Sequence, residues 1–219
     1  MANREKIVVG EYYHIYNRGV DKGIIIKDKR DLGRLIKCLE LFNSKEPIGS
    51  LRDIKLGDHK IKTKLVEIVS YCLNRNHFHF LLKEMSEGGI SEFMKRLTGG
   101  YTWYFNSKYR RSGSLFQGTF KSVLVTSNEQ LLYLSAYINL NNRVHQPSNP
   151  SGLTAGIEVS SWKEYVGESS RNICKKEIIL EQFKSTKEYR DFSESALEVI
   201  LESREDKDAI EMLIGRHFF

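Results

Sequence analysis

Two short apolar segments, residues 65–72 and 77–82, constrain the fold more than any other feature of the sequence. The first reads LVEIVSYC and the second HFHFLL, and both have the length and the β-branched or aromatic content of strands. Only residues 73–76 separate them, which predicts a turn. We therefore expect two consecutive strands at the centre of the chain.

Further extended and helical patterns lie on both sides of this pair. Strands are predicted at residues 11–18 and 123–125, and helices at residues 28–44, 90–107 and 127–141. This order predicts an α+β fold, a ferredoxin-like antiparallel sheet with helices packed on one face. Gly99 and Gly100 interrupt the second helical pattern and predict either a kink or the close approach of another segment.

The domain organisation follows from length and from the prolines. A chain of 219 residues is long enough for one full domain and an appendage. Residues 146–152 (QPSNPSG) hold two of the three prolines and form the best candidate linker. We predict a main domain at residues 1–145, and a linker with a C-terminal helical extension at residues 146–219.

Positive charge is concentrated in the middle of the chain. The formal net charge is +6, and residues 93–128 contain no Asp or Glu. The basic side chains of that stretch are Lys95, Arg96, Lys108, Arg110, Arg111 and Lys121. The stretch is either a solvated basic face or a phosphate-binding surface, and the interleaved aromatic residues favour the second interpretation.

Composition also limits the cellular setting. The three cysteines are an odd number without CxxC spacing, which argues against disulfides and against a cysteine-based zinc site. Residues 1–10 are charged and lack the apolar core of a secretory signal. Nor does any apolar run approach the roughly 20 residues that cross a bilayer. We expect a soluble, cytoplasmic protein with no membrane partner.

His77 and His79 are the first candidates for chemistry. Because side chains alternate along a strand, two residues at this spacing point to the same face and can share one metal ion. Two histidines do not complete a metal site, so another element must supply a third ligand. The competing interpretation is a pair of structural or surface histidines.

Tyr137 and Asn141 are the second pair of candidates. They lie four residues apart in a predicted helix, and hence on one face of it. A tyrosine beside a metal can attack a phosphate that the metal polarises, while an asparagine amide oxygen can complete a Mg²⁺ or Mn²⁺ site. The chain has 11 tyrosines, and most tyrosines are structural, so the spacing alone leaves the role of Tyr137 open.

Several ordered blocks of the sequence resemble one family. Residues 70–82 (SYCLNRNHFHFLL), 93–122 and 133–142 (YLSAYINLNN) are similar to the HUH single-tyrosine transposases of bacterial insertion sequences. The branch most similar is that of the REP-associated tyrosine transposases. Residues 12–19 (YYHIYNRG) and 160–167 (SSWKEYVG) also resemble family segments, with Trp162 in place of a tyrosine.

The resemblance implies a mechanism and a role for each candidate. His77, His79 and Asn141 would bind a divalent metal, and Tyr137 would be the nucleophile. Enzymes of this family cut single-stranded DNA next to a hairpin, form a 5′-phosphotyrosine and leave a free 3′-hydroxyl. Some act as homodimers that exchange the tyrosine helix, so a homodimer is possible here.

Two departures from the family pattern lie near the candidate site. The family usually has Met-Pro before its Asn-His pair, where this chain has Asn74 and Arg75. The proline that follows the helix asparagine is replaced by Asn142. Neither departure removes a functional group, and Arg75 adds a candidate phosphate contact.

The remaining candidate residues concern DNA binding, and alternative functions of the chain stay open beside them. The predicted DNA-binding residues are Arg18, Arg75, Lys95, Arg96, Arg110, Arg111, Gln117 and Lys121. Tyr101, Trp103, Tyr104 and Tyr109 could stack on bases or pack in the core. His14 is interpreted as structural. Three other functions are considered: a domesticated hairpin-binding protein that does not cut, a replication-initiator or relaxase nuclease, and a hydrolase of small phosphates.

Overall fold

The computed structural model describes residues 6–46, 63–144 and 159–202. The predicted linker at residues 146–152 and the end of the predicted helical extension, residues 203–219, lie outside these ranges. The strands are β1 (Tyr12–Arg18), β2 (Val66–Leu73), β3 (His77–Glu84), β4 (Lys121–Leu124) and β5 (Val159–Ser160). The helices are α1 (Lys29–Leu41), α2 (Gly89–Tyr109), α3 (Asn128–Val144), α4 (Trp162–Tyr165), α5 (Glu177–Leu180) and α6 (Thr186–Glu202), with a 3-10 turn at Val20–Lys22.

The strands form one antiparallel sheet in the order β4-β1-β3-β2-β5. The first four strands and the two helices between them follow the order β-α-β-β-α-β, with the sheet arrangement that defines ferredoxin-like folds. The α+β, ferredoxin-like prediction is therefore confirmed, and β5 extends the sheet beside β2.

The start of α1 is fixed by two aspartates. Asp28 caps the helix by accepting from the backbone N–H of Arg30 and Asp31, and Asp31 accepts in return from the Asp28 N–H. The Asp31 carboxylate is fully buried, and the Lys108 ammonium from the last turn of α2 lies 2.6 Å from it. This ion pair links the N-terminus of α1 to the C-terminus of α2. The two helices also pack against each other.

One face of the sheet packs against α1 and α2. Phe78 and Phe80 point to this face from β3 and stack with their ring centroids 4.8 Å apart. Phe78 contacts Phe116, which in turn contacts Tyr101 of α2. All four rings are buried, so this layer is part of the hydrophobic core.

The opposite face is covered by α3, which packs on β2, β3 and β5. The expectation that all helices would pack on one face is therefore wrong. The physical reason can be seen in β2, where residues on both faces are buried. A strand buried on both sides requires a layer on each face of the sheet.

The glycine pair does not interrupt α2, which is continuous from Gly89 to Tyr109. A Cβ atom added at Gly100 would lie 2.6 Å from two ring atoms of Phe42, whereas one added at Gly99 would meet nothing within 4 Å. Of the two predicted explanations for the glycine pair, the close approach of another segment is the one observed at Gly100, where the aromatic ring of Phe42, the C-cap residue of α1, approaches the helix.

The C-terminal part of the described chain is attached to the sheet and to α3. Ser160 of β5 pairs with Cys72, and the Ser161 N–H donates to the Tyr71 carbonyl oxygen. Further along β2, the Lys175 N–H donates to the Ile68 carbonyl oxygen. Helix α6 packs along α3. The division into domains at residues 145 and 146 stays a prediction.

Two findings concern the expected cellular setting. No helix within the described ranges is both long and apolar enough to cross a membrane. All three cysteines, Cys38, Cys72 and Cys174, are buried and free.

Candidate active site

His77 and His79 lie on one face of β3, the face that α3 covers. Their ring centroids are 5.0 Å apart and their planes nearly perpendicular, at 85°. In the neighbouring strand, Arg18 is directly opposite His77 and Tyr16 is directly opposite His79. Strand alternation therefore places four functional side chains on one face of two central strands.

Helix α3 brings the other two candidates to the same face. Asn141 is buried, and its Oδ1 lies 3.3 Å from His77 Nε2. The Tyr137 ring centroid lies 5.7 Å from that of His79, and the rings meet edge to face. The four predicted site residues thus come together within a single chain, between β3 and α3.

Two asparagines that the sequence analysis did not assign to the site orient His77. Asn76 Oδ1 lies 2.6 Å from His77 Nδ1, which therefore carries the proton and donates it to the amide oxygen. Asn74 Nδ2 donates to His77 Nε2 at 2.8 Å and to Asn141 Oδ1 at 2.6 Å. The Nε2 lone pair of His77 consequently points toward the Asn74 amide, beside Asn141 Oδ1.

His14 performs the corresponding role for His79. It is fully buried, and its Nε2 lies 3.1 Å from His79 Nδ1. With Nδ1 engaged in this way, Nε2 is the nitrogen that His79 can offer to a metal. The interpretation of His14 as merely structural is incomplete, because it contacts a candidate ligand. Alternation along β1, which places His14 on the same face as Tyr16 and Arg18, was the signal that could have revealed it.

The donor set fits a hard divalent cation. Among the described residues there is no group of three or more His, Cys, Asp or Glu that could hold a metal, and the third candidate ligand is the amide oxygen of Asn141. In an octahedral Mg²⁺ site with bonds of about 2.1 Å, adjacent ligand atoms lie about 3 Å apart. The 3.3 Å between His77 Nε2 and Asn141 Oδ1 is close to that spacing. The Asn141 Nδ2 is buried without a hydrogen-bond partner within the described ranges.

Three of the predicted DNA-binding residues lie beside this site. Arg18 adjoins His77, and its carbonyl oxygen accepts from the backbone N–H of Gln117. Lys121 pairs with Tyr16 across β1 and β4, with its Nζ 5.9 Å from the Tyr16 ring centroid. Tyr16 stacks on His79 at 6.1 Å, and partial burial raises its pKa. A half-exposed aromatic ring and two cations thus border the face that carries His77 and His79.

Two other predicted DNA contacts lie across the sheet. Lys95 and Arg96 belong to α2, which packs on the opposite face. The Arg96 guanidinium is engaged with Glu92 at 2.7 Å and with the Ser44 carbonyl oxygen at 2.6 Å. Arg96 therefore holds α2 against the segment after α1, and the structure does not bring it to the site.

The last three predicted contacts lie in loops. Arg110 is exposed at the end of α2, and Arg111 donates to the Ser114 carbonyl oxygen. Arg75 lies in the β2–β3 turn, adjacent to the site, where its carbonyl oxygen accepts from the Ile25 N–H. The acid-free stretch therefore does not form one surface, because its cations are distributed over both sides of the sheet.

The tyrosines of α2 are structural. Tyr101 is fully buried and donates to the Ile25 carbonyl oxygen. Tyr104 and Tyr109 donate to the buried Asp31 carboxylate, and burial together with that carboxylate raises the pKa of Tyr109 to about 12. Among the aromatic residues considered for base stacking, Trp103 differs, because about half of its surface (53 %) is exposed.

Part of the chain is similar to known proteins. Residues 52–141 match the sequence model of a family described as "Transposase IS200 like". A solved structure described as "Structure of the REP associates tyrosine transposase bound to a REP hairpin" has a TM-score of 0.46 at 13 % identity, over 79 % of this chain and 89 % of the other. No curated protein matches the chain.

The matched segment contains β2, β3, α2, β4 and most of α3, and thus every candidate site residue except those on β1. Over these residues, 90 of the 219 in the chain, the sequence therefore matches the IS200-like transposases, and this match supports the family assignment made from the ordered sequence blocks.

Proposed function

We propose that the protein cuts and rejoins single-stranded DNA through a covalent bond to Tyr137, with a divalent metal held by His77, His79 and Asn141. One observation carries the proposal: α3 places Tyr137 against His79 and Asn141 against His77 within the same chain. The match of residues 52–141 to the IS200-like transposases supports a reaction that cuts and rejoins DNA.

The residues divide the reaction between them. The Tyr137 oxygen loses its proton and attacks the phosphorus, the 3′ oxygen leaves and takes up a proton, and a 5′-phosphotyrosine remains. A bound Mg²⁺ or Mn²⁺ would polarise the scissile phosphate. Attack of a 3′-hydroxyl on the phosphotyrosine reverses the step, so rejoining needs no ATP because the bond energy is stored covalently.

The substrate would be recognised around this centre. Arg18 and Lys121 border the metal-binding face and would contact backbone phosphates, while Tyr16 offers a ring on which one base can stack. Recognition of a hairpin is proposed from the family resemblance, as is the relation to the REP-associated branch. The cytoplasmic location and the possible homodimer stay predictions.

The test is a Tyr137→Phe variant with a labelled single-stranded hairpin substrate and Mn²⁺. The wild type should form a protein–DNA adduct that survives a denaturing gel, and the variant should form none while binding DNA with an affinity changed less than about threefold. Tyr133→Phe is the matched control, because Tyr133 lies on the same helix but contacts Phe192 of α6.

Chelation gives a second arm of the same experiment. Excess EDTA should abolish the adduct, and added Mn²⁺ should restore it. An adduct retained by Tyr137→Phe would refute the nucleophile, and full cleavage in EDTA would refute the metal role. Hairpin binding without any cleavage by the wild type would favour a domesticated binding protein instead.

A further inference from the structure

Asn74 occupies an unusual position between two of the candidate metal ligands. It lies at the start of the β2–β3 connection, is nearly fully buried, and stands where the family resemblance implies a methionine. Its Nδ2 donates to His77 Nε2 and to Asn141 Oδ1 at the same time. Because Asn74 contacts both atoms, it borders the space in which they would hold a cation.

The three side-chain atoms form a small triangle. His77 Nε2 and Asn141 Oδ1 are 3.3 Å apart, and the amide atom of Asn74 is 2.8 Å from the first and 2.6 Å from the second. Ligand atoms on one face of an octahedral Mg²⁺ or Mn²⁺ ion lie about 3 Å from one another. The triangle therefore has the dimensions of one face of such a coordination sphere.

A half-turn of the Asn74 amide makes all three atoms acceptors. Rotation about the Cβ–Cγ bond exchanges Oδ1 and Nδ2 and moves no other heavy atom. Cys72 tolerates both orientations, because its thiol lies 3.5 Å from the present Oδ1 and its sulfur can accept weakly from an amide N–H. Without a cation the NH₂ group faces two lone pairs, and with a cation the oxygen is the favoured atom.

We propose that Asn74 is an additional protein ligand of the metal ion, together with His77, His79 and Asn141. This inference rests on the proposed metal-dependent function. Four protein ligands leave two of six positions, which suffices for the oxygens of one phosphate. A methionine at this position would offer only a thioether, a soft ligand poorly matched to Mg²⁺ or Mn²⁺.

The test measures binding of Mn²⁺ to the full chain by calorimetry at pH 8, where unperturbed imidazoles are neutral. Asn74→Leu should weaken Mn²⁺ binding about tenfold or more, because it removes a ligand oxygen. Asn74→Asp should tighten it about tenfold, because a carboxylate is a better ligand for these ions. Asn142→Asp is the matched control for added charge, and should change the affinity less than about threefold because it lies in a half-buried position outside the ligand set.

The outcomes separate this inference from the function on which it rests. Mn²⁺ binding by Asn74→Leu that is as tight as wild type or tighter overturns the inference, because the amide then only competes with the ion. Should Asn74→Leu fail to fold, equal affinities of Asn74→Asp and Asn142→Asp overturn it equally. In both cases, loss of Mn²⁺ binding in His77→Ala would still support the proposed metal site of His77, His79 and Asn141. A wild type that binds no Mn²⁺ refutes both proposals.

Discussion

A substitution at Tyr189 of α6 can measure how much the contact between α6 and α3 contributes to the free energy of unfolding. Its side chain is fully buried, and its hydroxyl accepts from Asn139 Nδ2 at 2.8 Å. Ser135 Oγ lies 3.2 Å away and already donates to the Leu132 carbonyl oxygen, so it accepts from Tyr189. Burial raises the pKa of Tyr189 to about 12, which keeps the hydroxyl protonated and able to make both bonds.

The change Tyr189→Phe removes one oxygen and leaves the Asn139 amide without that acceptor. Asn139 is fully buried, so water cannot replace the lost partner. An unsatisfied buried donor costs about 1–3 kcal/mol, and we expect a loss of about 2 kcal/mol in the free energy of unfolding. For a chain of this size that loss corresponds to a fall in Tm of about 4–8 °C.

Chemical denaturation followed by circular dichroism measures this difference. Tyr133→Phe provides the control, since the Tyr133 hydroxyl has no hydrogen-bond partner in the described part of the chain and its ring contacts Phe192 of the same α6. The control should lie within about 0.5 kcal/mol of wild type. If the two variants are equally stable, the buried network contributes nothing measurable, and the attachment of α3 to α6 rests on apolar packing alone.

Two further variants test the packing of α1 and α2. Gly99→Ala should stabilise the protein by about 0.5–1 kcal/mol through helix propensity. Gly100→Ala should be less stable than Gly99→Ala by about 1 kcal/mol or more, because its methyl group meets the Phe42 ring. Thermal unfolding of the two variants measures this difference. The pKa of Asp28 is lowered chiefly by its hydrogen bond from Lys108. A depressed carboxyl pKa stabilises the fold above the unfolded value of 3.8, and this stabilisation disappears as the pH falls through the folded pKa. Lys108→Met should therefore be less stable at neutral pH and lose less stability on acidification, and unchanged acid sensitivity in a denaturation series would contradict this.

The part of the fold that could be predicted is the part encoded by local patterns. The segments at residues 65–72 and 77–82 became β2 and β3 with shifts of only one or two residues at their ends. Asp28, the first position of the helix predicted at residues 28–44, is the cap of α1. Ser127, the first position of the helix predicted at residues 127–141, accepts from the Gln130 N–H, and the Gln130 side chain accepts from the Thr126 N–H. Each of these interactions joins residues close in sequence.

Contacts between distant segments could not be predicted in the same way. The hydrogen bond from Asn74 to Asn141 joins residues 67 positions apart, and that between His14 and His79 spans 65 positions. No periodicity contains such information. β5 was missed because a strand of two residues has no pattern, and it depends on pairing with β2.

The candidate site was anticipated by alternation on β3 and by helical spacing on α3, together with the family resemblance. Sequence reasoning could not predict on which side of the sheet each basic residue lies. Arg96 and Lys121 look alike in a basic stretch, yet one binds a backbone carbonyl beneath the sheet and the other lies beside Tyr16. The sheet separates these cations and thereby decides which of them lie on the face that carries His77 and His79.

The segment that follows β5 has a consequence for how copies of the chain can associate. An outer strand normally exposes unpaired main-chain groups on which a strand from another molecule can dock. On the outer side of β2, the carbonyl oxygens of Ile68, Val69 and Tyr71 are all occupied, by the Lys175 N–H, the Tyr165 hydroxyl and the Ser161 N–H. Strand addition is therefore blocked along this margin of the sheet. The other margin is the four-residue β4, where the exposed Lys121 opposes docking by charge, so copies of this chain cannot join their sheets along β2.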